Sequence, residues 1–243
     1  MTRFTMMLAG VPFAVEANYD TTERFASEYL TDQAPRFTVS VTADDITQER
    51  RMSEEEDRRE GIPVRRCSDN YLETLALYRA LSAPMLDYDA VVFHGSVVAL
   101  DGKAYLFTAP SGTGKTTHTR LWLDHIPGSY VLNGDKPLLR VTEDGVFACG
   151  TPWRGKERYG VNEMLPLDAI CLLERAETNT IRPIGAAEAV DALLRQTNMQ
   201  RDAAGMVKTL SILDRIASAV RLYRLRCNMD GEAALVCRDG IVI

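Results

Sequence analysis

The chain has 243 residues, of which 46% are hydrophobic and 26% are charged. These are ordinary values for a globular protein, and the length suits one large domain or one core with a small appended domain. The formal net charge is -6, which argues against a general nucleic-acid-binding surface, because neutralising phosphates requires a basic face.

The cysteines and the N-terminus indicate a cytoplasmic protein. The five cysteines are widely spaced and include no C-x-x-C pair, so they predict neither a disulfide framework nor a zinc site. Cys149, Cys171 and Cys237 lie in apolar runs and are expected to be buried. The apolar N-terminal stretch is broken by Gly10 and Pro12, unlike a signal peptide. Since no segment approaches the about 20 apolar residues of a membrane span, we expect a reduced, soluble protein with no membrane partner.

Strand patterns open the chain. Residues 3–17 cluster apolar side chains around Gly10-Val11-Pro12, which predicts a strand, a turn and a second strand. Residues 36–43 alternate apolar and polar side chains, as a half-buried strand does.

A charged run and a helix follow. Residues 46–61 form a dense mixed-charge run, which predicts a solvated hairpin tip or loop, with an acidic docking surface as the alternative. Residues 67–84 repeat apolar side chains at helical spacing, with Ser68 or Asp69 as the cap and Pro84 just past the end.

The central part of the chain predicts a strand, a hairpin turn, a second strand, a loop and a helix. Residues 90–100 form a continuous apolar run rich in β-branched side chains, typical of a buried strand. Asp101-Gly102 is a strong two-residue hairpin signal. Residues 103–109 supply the returning strand, and residues 116–126 the helix.

The remaining patterns complete an α/β fold with its motifs at strand ends. Apolar runs predict strands at 130–133, 146–153, 167–175, 221–227 and 233–243, and amphipathic patterns predict helices at 186–197 and 204–220.

The stretch between the second strand and its helix, TAPSGTGKTTHTRLW, reads as a phosphate-binding loop. The usual pattern is G-x-x-x-x-G-K-[ST], and here Ala109 replaces the first glycine. Alanine fits at the strand exit if its φ stays negative, and Pro110 stiffens the turn. A plain Gly/Ser/Thr-rich turn is the alternative, but it explains the glycines and not the G-K-T-T run.

Each position of the loop has a predicted task. Backbone N–H groups of residues 111–116 can converge on phosphate oxygens at the positive end of the following helix. Lys115 would reach the β- and γ-phosphates, and Thr116 would offer its hydroxyl to Mg²⁺. Gly112 and Gly114 allow positive φ and a close backbone approach. The predicted nucleotide-binding set is Pro110, Ser111, Gly112, Thr113, Gly114, Lys115, Thr116 and Thr117.

Two flanking motifs sharpen this interpretation. Phe93-His94-Gly95-Ser96 stands upstream of the loop, and Leu132-Asn133-Gly134-Asp135 stands downstream. Together with the hairpin turn and the loop, this set resembles the HPr serine kinase/phosphorylase family and its structural relative, phosphoenolpyruvate carboxykinase. The HPr kinases carry a His-Gly strand start, a short hairpin, G-x-S-G-x-G-K-S and then Ala-Asp-Asp. The carboxykinases carry S-G-T-G-K-T-T and then Gly-Asp-Asp.

The resemblance covers residues 86–243 and implies a P-loop core of mixed sheets with flanking helices. Residues 1–85 would then form a small N-terminal α/β segment, rich in strands and ending in a helix. Because HPr kinases assemble, the resemblance also implies a homo-oligomer.

The chain departs from that pattern in two places. One acid, Asp135, stands next to Lys136 where the relatives have paired aspartates, which puts a reverse phosphorylase activity in doubt. Residues 150–160, GTPWRGKERYG, correspond only loosely to the Arg-Gly-Leu-Gly segment of the kinases. The extra metal and oxaloacetate site of a full carboxykinase is not found.

The predicted catalytic residues are Asp135, His94 and Lys115. Asp135 would hold Mg²⁺ or accept the proton of the substrate hydroxyl, with a simple turn aspartate as the alternative. His94, which the resemblance places near Asp135, would orient that carboxylate or assist proton transfer, unless it is a core histidine. The predicted metal ligands are Thr116, Asp135 and, by resemblance to the kinases, Glu157.

Extra cations are expected because phosphoryl transfer relies on charge neutralisation. The segment 153–160 is interpreted as a mobile loop closing on phosphate or substrate, or as an exposed basic turn. Surface or core packing is expected for His118 and His125. The candidate cations are Lys136, Arg140, Arg154, Lys156 and Arg158.

These features predict an enzyme that uses ATP, or another nucleoside triphosphate, with Mg²⁺. It would transfer a phosphoryl group to a hydroxyl, either on a serine of a protein or peptide or on a small molecule. A non-catalytic nucleotide-binding regulatory module is the alternative, and a carboxykinase-like lyase is a weaker third candidate. No nucleic-acid partner is expected.

Overall fold

The computed structural model describes residues 1–200 and 202–242, apart from the side chain of Glu60. The protein is of the mixed α/β type, with a large mixed sheet and a small N-terminal sheet. The chain divides into two compact units, residues 1–85 and residues 86–243. Within the described residues, no helix combines the length and the apolar character needed to cross a membrane.

The N-terminal unit is built on a small sheet in the order β1-β2-β3, with β1 and β2 antiparallel and β2 and β3 parallel. The predicted strand–turn–strand at 3–17 is confirmed, whereas the strand predicted at 36–43 shrinks to three residues. In chain order the elements are β1 (Thr2–Leu8), β2 (Val11–Ala17), α1 (Asp20–Phe25), β3 (Thr38–Ser40), α2 (Ala43–Glu60) and α3 (Asp69–Met85).

The loop predicted at 46–61 is wrong, because this charged run forms most of helix α2. Thr42 and Asp45 form a reciprocal capping box at its start, which satisfies backbone donors of the first turn. Charged side chains also lie on the buried face: Glu49 pairs with an arginine of α3, and Asp57 pairs with Arg65. The dense charge pattern predicts a solvated segment, but the run is helical and two of its acids, Glu49 and Asp57, are buried in ion pairs.

The helix predicted at 67–84 is confirmed as α3, but Pro84 lies inside its last turn and not beyond it. A proline near the end of a helix removes one backbone hydrogen bond and crowds the preceding turn. Because α3 ends one residue later, that cost is confined to its last turn.

The C-terminal unit contains the large sheet and the helices that pack on it. Its strands are β4 (Ala90–Val92), β5 (Ser96–Leu100), β6 (Lys103–Thr108), β7 (Tyr130–Asn133), β8 (Leu138–Thr142), β9 (Gly145–Cys149), β10 (Met164–Arg175), β11 (Thr180–Pro183) and β12 (Arg221–Cys227). Its helices are α4 (Lys115–His125), α5 (Ala186–Arg195), α6 (Ala203–Ala219) and α7 (Glu232–Ile241).

Strand β10 joins the two halves of the large sheet. The strand order is β4-β8-β9-β10-β6-β5-β7, with β12 also on β10 and β11 on β12. Residues 164–166 of β10 pair antiparallel with β9, whereas residues 167–172 pair parallel with β6 and residues 169–175 pair parallel with β12. One half therefore contains β4, β8 and β9, and the other contains the strands around the loop.

The continuous strand predicted at 90–100 is wrong, because the chain changes sheet halves within it. Strand β4 pairs with β8, and β5 pairs with β6 and β7. Gly95 lies at the crossing, where a Cβ would stand 3.1 Å from the backbone oxygen of Phe107. A glycine in a strand pattern is a signal of such a close backbone approach. The many β-branched residues of the run outweigh this signal and predict one continuous strand.

The hairpin at Asp101-Gly102 is confirmed. Leu100 pairs with Lys103 across the turn, and the turn residues have φ of 50° and 75°, the positive values of a two-residue hairpin turn. The predicted strands at 130–133, 167–175 and 221–227 and both predicted amphipathic helices also form, whereas the strand predicted at 146–153 is reduced to β9.

The strand predicted at 233–243 is wrong, because residues 232–241 form helix α7; residue 243 lies outside the described residues. The buried positions Ala233, Ala234, Cys237 and Ile241 have helical spacing. The apolar run alone could not separate a buried helix from a buried strand.

Helix α4, which follows the loop, is anchored by an aromatic cluster. Trp122 is fully buried and lies near Tyr105 and Phe107 of β6, with ring centroids 5.7 and 5.5 Å away. The Trp122 indole N–H donates to Nε2 of His118 at 3.1 Å, and Phe107 meets the His118 ring edge-on. His118 is therefore a core histidine, whereas His125 is exposed. The expected burial of Cys149, Cys171 and Cys237 is confirmed, and all five cysteines are free thiols.

The buried imidazole of His118 predicts a pH dependence of stability. Burial lowers its pKa from 6.5 to about 4. Below pH 6.5 the unfolded chain binds a proton that the folded chain excludes, so stability falls with pH until about 4. From about pH 8 to about pH 5 the free energy of unfolding should lose about 2 kcal/mol from this group.

Urea unfolding of wild type and His118→Gln at both pH values measures this loss as the difference between their pH slopes. His125→Gln removes the exposed histidine of the same helix and serves as the control. A His118→Gln variant with the wild-type slope would contradict the prediction.

Candidate functional site

The loop between β6 and α4 has the backbone that phosphate binding requires. Gly112 and Gly114 have φ of 75° and 122°, values that side chains other than glycine rarely adopt. Ala109 keeps a negative φ and is buried in the core beside α4. The alanine therefore fits at the strand exit and adds packing there. Ser111 and Thr116 are exposed, so the mouth of the loop is accessible.

Lys115 is folded onto the start of its own loop. Its Nζ donates to the backbone oxygen of Ala109 at 2.7 Å and to that of Pro110 at 3.4 Å. Burial lowers the pKa of Lys115, and the charge of Asp135 opposes that effect while Lys136 adds to it. The Thr108 hydroxyl, one residue before Ala109, donates to the His94 backbone oxygen at 2.9 Å, so the start of the loop lies beside the segment that carries His94.

Two crossings between the sheet halves bring His94 beside Asp135. The first crossing links β4 to β5, and the second links β7 to β8. They are joined by backbone bonds from the N–H of Gly95 to the oxygen of Asp135, at 2.9 Å, and from Phe93 to Pro137, at 3.1 Å. His94 Nε2 lies 3.3 Å from Asp135 Oδ1 as a result. Two residues that are 41 positions apart in the sequence thus form a contact pair.

A buried asparagine fixes the turn that carries Asp135. The Asn133 side-chain oxygen accepts from the backbone N–H groups of Asp135 at 3.0 Å and Lys136 at 2.8 Å. Its Nδ2 donates to the backbone oxygen and the hydroxyl of Thr151. The Thr151 hydroxyl in turn donates to the Lys136 oxygen at 2.6 Å. Sequence reasoning missed both residues, although an asparagine followed by a glycine is a signal for a turn.

Asp135 is held in its ionised form. Burial raises its pKa, but hydrogen bonds from His94 and Lys136 and the charges of both outweigh that effect. The net pKa of Asp135 lies well below its ordinary value. One carboxylate oxygen faces His94 and the other accepts from the Lys136 ammonium. Since an ionised carboxylate offers about four lone-pair sites, each oxygen can still accept one more partner.

Gln196, just after α5, completes the surroundings of His94. Its backbone oxygen accepts from the His94 N–H at 2.7 Å, and its side-chain oxygen lies 2.9 Å from His94 Nδ1. The Gln196 side chain therefore holds the imidazole ring so that Nε2 faces Asp135. Sequence reasoning missed Gln196, because nothing local signals a contact 102 residues away.

The segment 153–160 lies on the Asp135 turn. The N–H of Gly134 donates to the Tyr159 oxygen at 3.0 Å, and that of Lys136 to the Trp153 oxygen at 3.2 Å. Gly155 has φ of 74°, and a Cβ there would stand 2.9 Å from the Asp135 Cβ. The basic segment therefore forms one wall of the site and contacts the predicted catalytic acid.

Glu157, one of the three predicted metal ligands, forms an ion pair with a side chain outside the predicted metal set. Its carboxylate forms an ion pair with Arg120 of α4 at 2.6 Å, and both side chains are exposed. Arg140, among the candidate cations, donates to the Tyr88 backbone oxygen at 3.3 Å. In the described part of the chain, no three His, Cys, Asp or Glu side chains are grouped as a metal site. The set Thr116, Asp135 and Glu157 therefore stays a prediction.

Comparisons with known proteins find only a distant likeness. No protein-family model and no curated protein sequence matches the chain. Among solved structures, the chain is similar to the HPr(Ser) kinase/phosphatase from Coxiella burnetii, with a TM-score of 0.36 and 11% sequence identity. That match covers 61% of this chain and 94% of the other. The likeness assigns no residue a role.

The contact between Gly155 and Asp135 predicts that an alanine at Gly155 costs more stability than an alanine at Gly102. An alanine at a left-handed position costs about 1–2 kcal/mol in strain alone. Gly155→Ala adds a clash with Asp135, whereas Gly102 has a similar φ of 75° and no atom within 4 Å of its Cβ position. We expect Gly155→Ala to lower the free energy of unfolding more than Gly102→Ala, as measured by urea denaturation. Equal losses would show that the segment does not bear on Asp135.

Proposed function

We propose that residues 86–243 form an HPr kinase-like core that binds a nucleoside triphosphate, ATP as the first candidate, with Mg²⁺. The core would transfer the γ-phosphoryl group to a hydroxyl of a protein, a peptide or a small molecule. The observation that carries this proposal is the contact between the start of the loop, at Thr108, and the segment of His94, whose ring lies 3.3 Å from the ionised Asp135.

The loop supplies the phosphate-binding half of the site. Gly112 and Gly114 hold the backbone conformation in which successive N–H groups can surround an anion, and α4 begins directly after them. Lys115 donates to two backbone oxygens of its own loop. A bound triphosphate would offer it a stronger, charged acceptor, so the ammonium can turn from Ala109 to the β- and γ-phosphates.

Asp135 supplies the part of the site that would hold the substrate hydroxyl or Mg²⁺. Its depressed pKa makes it a weak proton acceptor but a dependable anion at neutral pH. Phosphoryl transfer passes through a loose transition state that needs positioning and charge stabilisation more than strong base catalysis. Asp135 can therefore orient the substrate hydroxyl, or hold Mg²⁺ together with Thr116, through its remaining lone pairs.

The neighbours of Asp135 adjust its charge. His94 and Lys136 each donate to one carboxylate oxygen, so the carboxylate does not repel an approaching triphosphate as a lone anion would. The Lys136 ammonium also brings a positive charge to the region where negative charge develops on the transferred group, which stabilises a transition state in a partly buried site.

One observation favours the second candidate, a nucleotide-binding module without transfer. The Lys136 ammonium lies on the second oxygen of Asp135, where it competes with a metal ion for the carboxylate. If Mg²⁺ cannot share that oxygen, the protein would bind nucleotide and change its stability or its partner without turnover.

Two substitutions test the proposal. Removing one group that stabilises a transition-state charge costs about 10²–10³-fold in rate. We expect Lys115→Ala and Asp135→Asn each to lower Mg²⁺-dependent transfer by about that factor, with Lys115→Ala also weakening ATP binding. Transfer of the γ-phosphoryl group from labelled ATP to a library of serine-containing peptides and small alcohols measures the rate, and calorimetry measures binding.

Asp144→Asn, in the exposed turn between β8 and β9, is the matched control and should keep wild-type activity. ATP binding without transfer to any acceptor would support the second candidate. Transfer that persists in Lys115→Ala would show that this loop is not the site, and failure of the wild-type protein to bind any nucleoside triphosphate would contradict both candidates.

A further inference from the structure

We infer that Arg175 is a positioning residue that holds the phosphate loop in its anion-binding form. This role rests on the proposed nucleotide site. Arg175 is the last residue of β10, whose second half runs parallel to β6, the strand that leads into the loop. Strand β10 pairs with β6 as far as Thr108 and then continues for three residues beside the loop.

The guanidinium group of Arg175 donates to two consecutive carbonyls of the loop. Its Nε lies 3.1 Å from the Thr113 oxygen, and its Nη2 bonds the Gly112 oxygen. Lys115 binds the oxygens of Ala109 and Pro110 at the other end of the same loop. Two cations therefore hold four loop carbonyls, one pair each.

These contacts fix the direction of the neighbouring N–H groups. In a planar trans peptide the C=O of one residue and the N–H of the next point in opposite directions. With the oxygens of Gly112 and Thr113 turned to Arg175, the N–H groups of Thr113 and Gly114 point away from it. The Thr113 N–H closes the loop onto the Pro110 oxygen at 3.3 Å. The Gly114 N–H, which belongs to the same peptide as the Thr113 oxygen, is therefore held in one orientation by the Arg175 contact.

The loop needs such an external clamp because glycine is the most flexible residue. Gly112 and Gly114 lie on either side of Thr113, and without the Arg175 contacts their peptides would sample many conformations. Ordering them would then reduce the affinity for an anion. A planar guanidinium can donate to two adjacent oxygens at once, whereas an ammonium acts as a point charge. The contact therefore requires arginine specifically.

The effect should appear in nucleotide affinity and not in the chemical step. We expect Arg175→Ala to raise the Kd for a non-hydrolysable ATP analogue with Mg²⁺ about tenfold. The KM for ATP should rise in parallel while kcat at saturation stays within about twofold, because Arg175 contacts the loop and not the reacting atoms. Arg175→Lys should recover part of the affinity but remain weaker than wild type.

Arg226→Ala is the matched control. Arg226 is exposed on β12, in register with Glu174 of β10, so its removal takes the same charge from the same sheet without touching the loop. Calorimetric titration of the four proteins should give wild-type affinity for Arg226→Ala. Equal weakening of Arg226→Ala and Arg175→Ala would reduce the effect to general charge and overturn the inference.

Wild-type affinity in either Arg175 variant would also overturn it. Melting curves without nucleotide show whether Arg175→Ala is folded, and if it is not, the Arg175→Lys titration decides alone. A wild-type protein that does not bind the analogue would refute the proposed function, and this inference with it. Normal wild-type binding with unchanged Arg175 variants would refute only the inference.

Discussion

The candidate site depends on one constraint, the close approach of two chain segments that cross between the halves of the large sheet. The backbone N–H of Gly95 donates to the oxygen of Asp135 at 2.9 Å. A Cβ at Gly95 would stand 3.1 Å from a backbone oxygen of β6, and one at Gly134 would stand 2.7 Å from the oxygen of Arg154. Only glycine permits both approaches without displacement of the neighbouring backbone. Because the strands end there, His94 and Asp135 reach the same edge as the phosphate loop.

The charges of the site follow from this placement. Burial alone would favour a neutral Asp135 and a neutral Lys115. The charge of Lys136 opposes this effect on the pKa of Asp135, and the charge of Asp135 opposes it on the pKa of Lys115. Three cations contact the loop and the turn: Lys115 and Arg175 bond to loop carbonyls, and Lys136 bonds to the Asp135 carboxylate. In the proposed function a triphosphate would draw Lys115 away from these carbonyls, while Arg175 would keep its contacts to Gly112 and Thr113 and so hold the loop in place.

The sequence was sufficient where the signal is local. The loop glycines, the Asp101-Gly102 turn and the helix after Lys115 each follow from the chemistry of adjacent residues, and a resemblance added His94 and Asp135 as a pair. Contacts across the fold could not be predicted in this way. Gln196 reaches His94 and Arg175 reaches Gly112 only because β10 and α5 end near the loop and the crossings. The sequence analysis does not predict helix α2, because it treats charged residues as exposed. The buried acids of α2 pair with arginines, and a charge pattern alone does not reveal such pairs.

The central claim is that the loop and the Asp135 turn bind one triphosphate between them. A crystal structure with a non-hydrolysable ATP analogue and Mg²⁺ tests it most directly. The account predicts that Lys115 leaves the oxygen of Ala109 for the β- and γ-phosphates, and that the γ-phosphate faces Asp135 and His94 within reach of one metal ion or one hydroxyl. An analogue bound away from the loop, or a γ-phosphate directed away from Asp135, would contradict it.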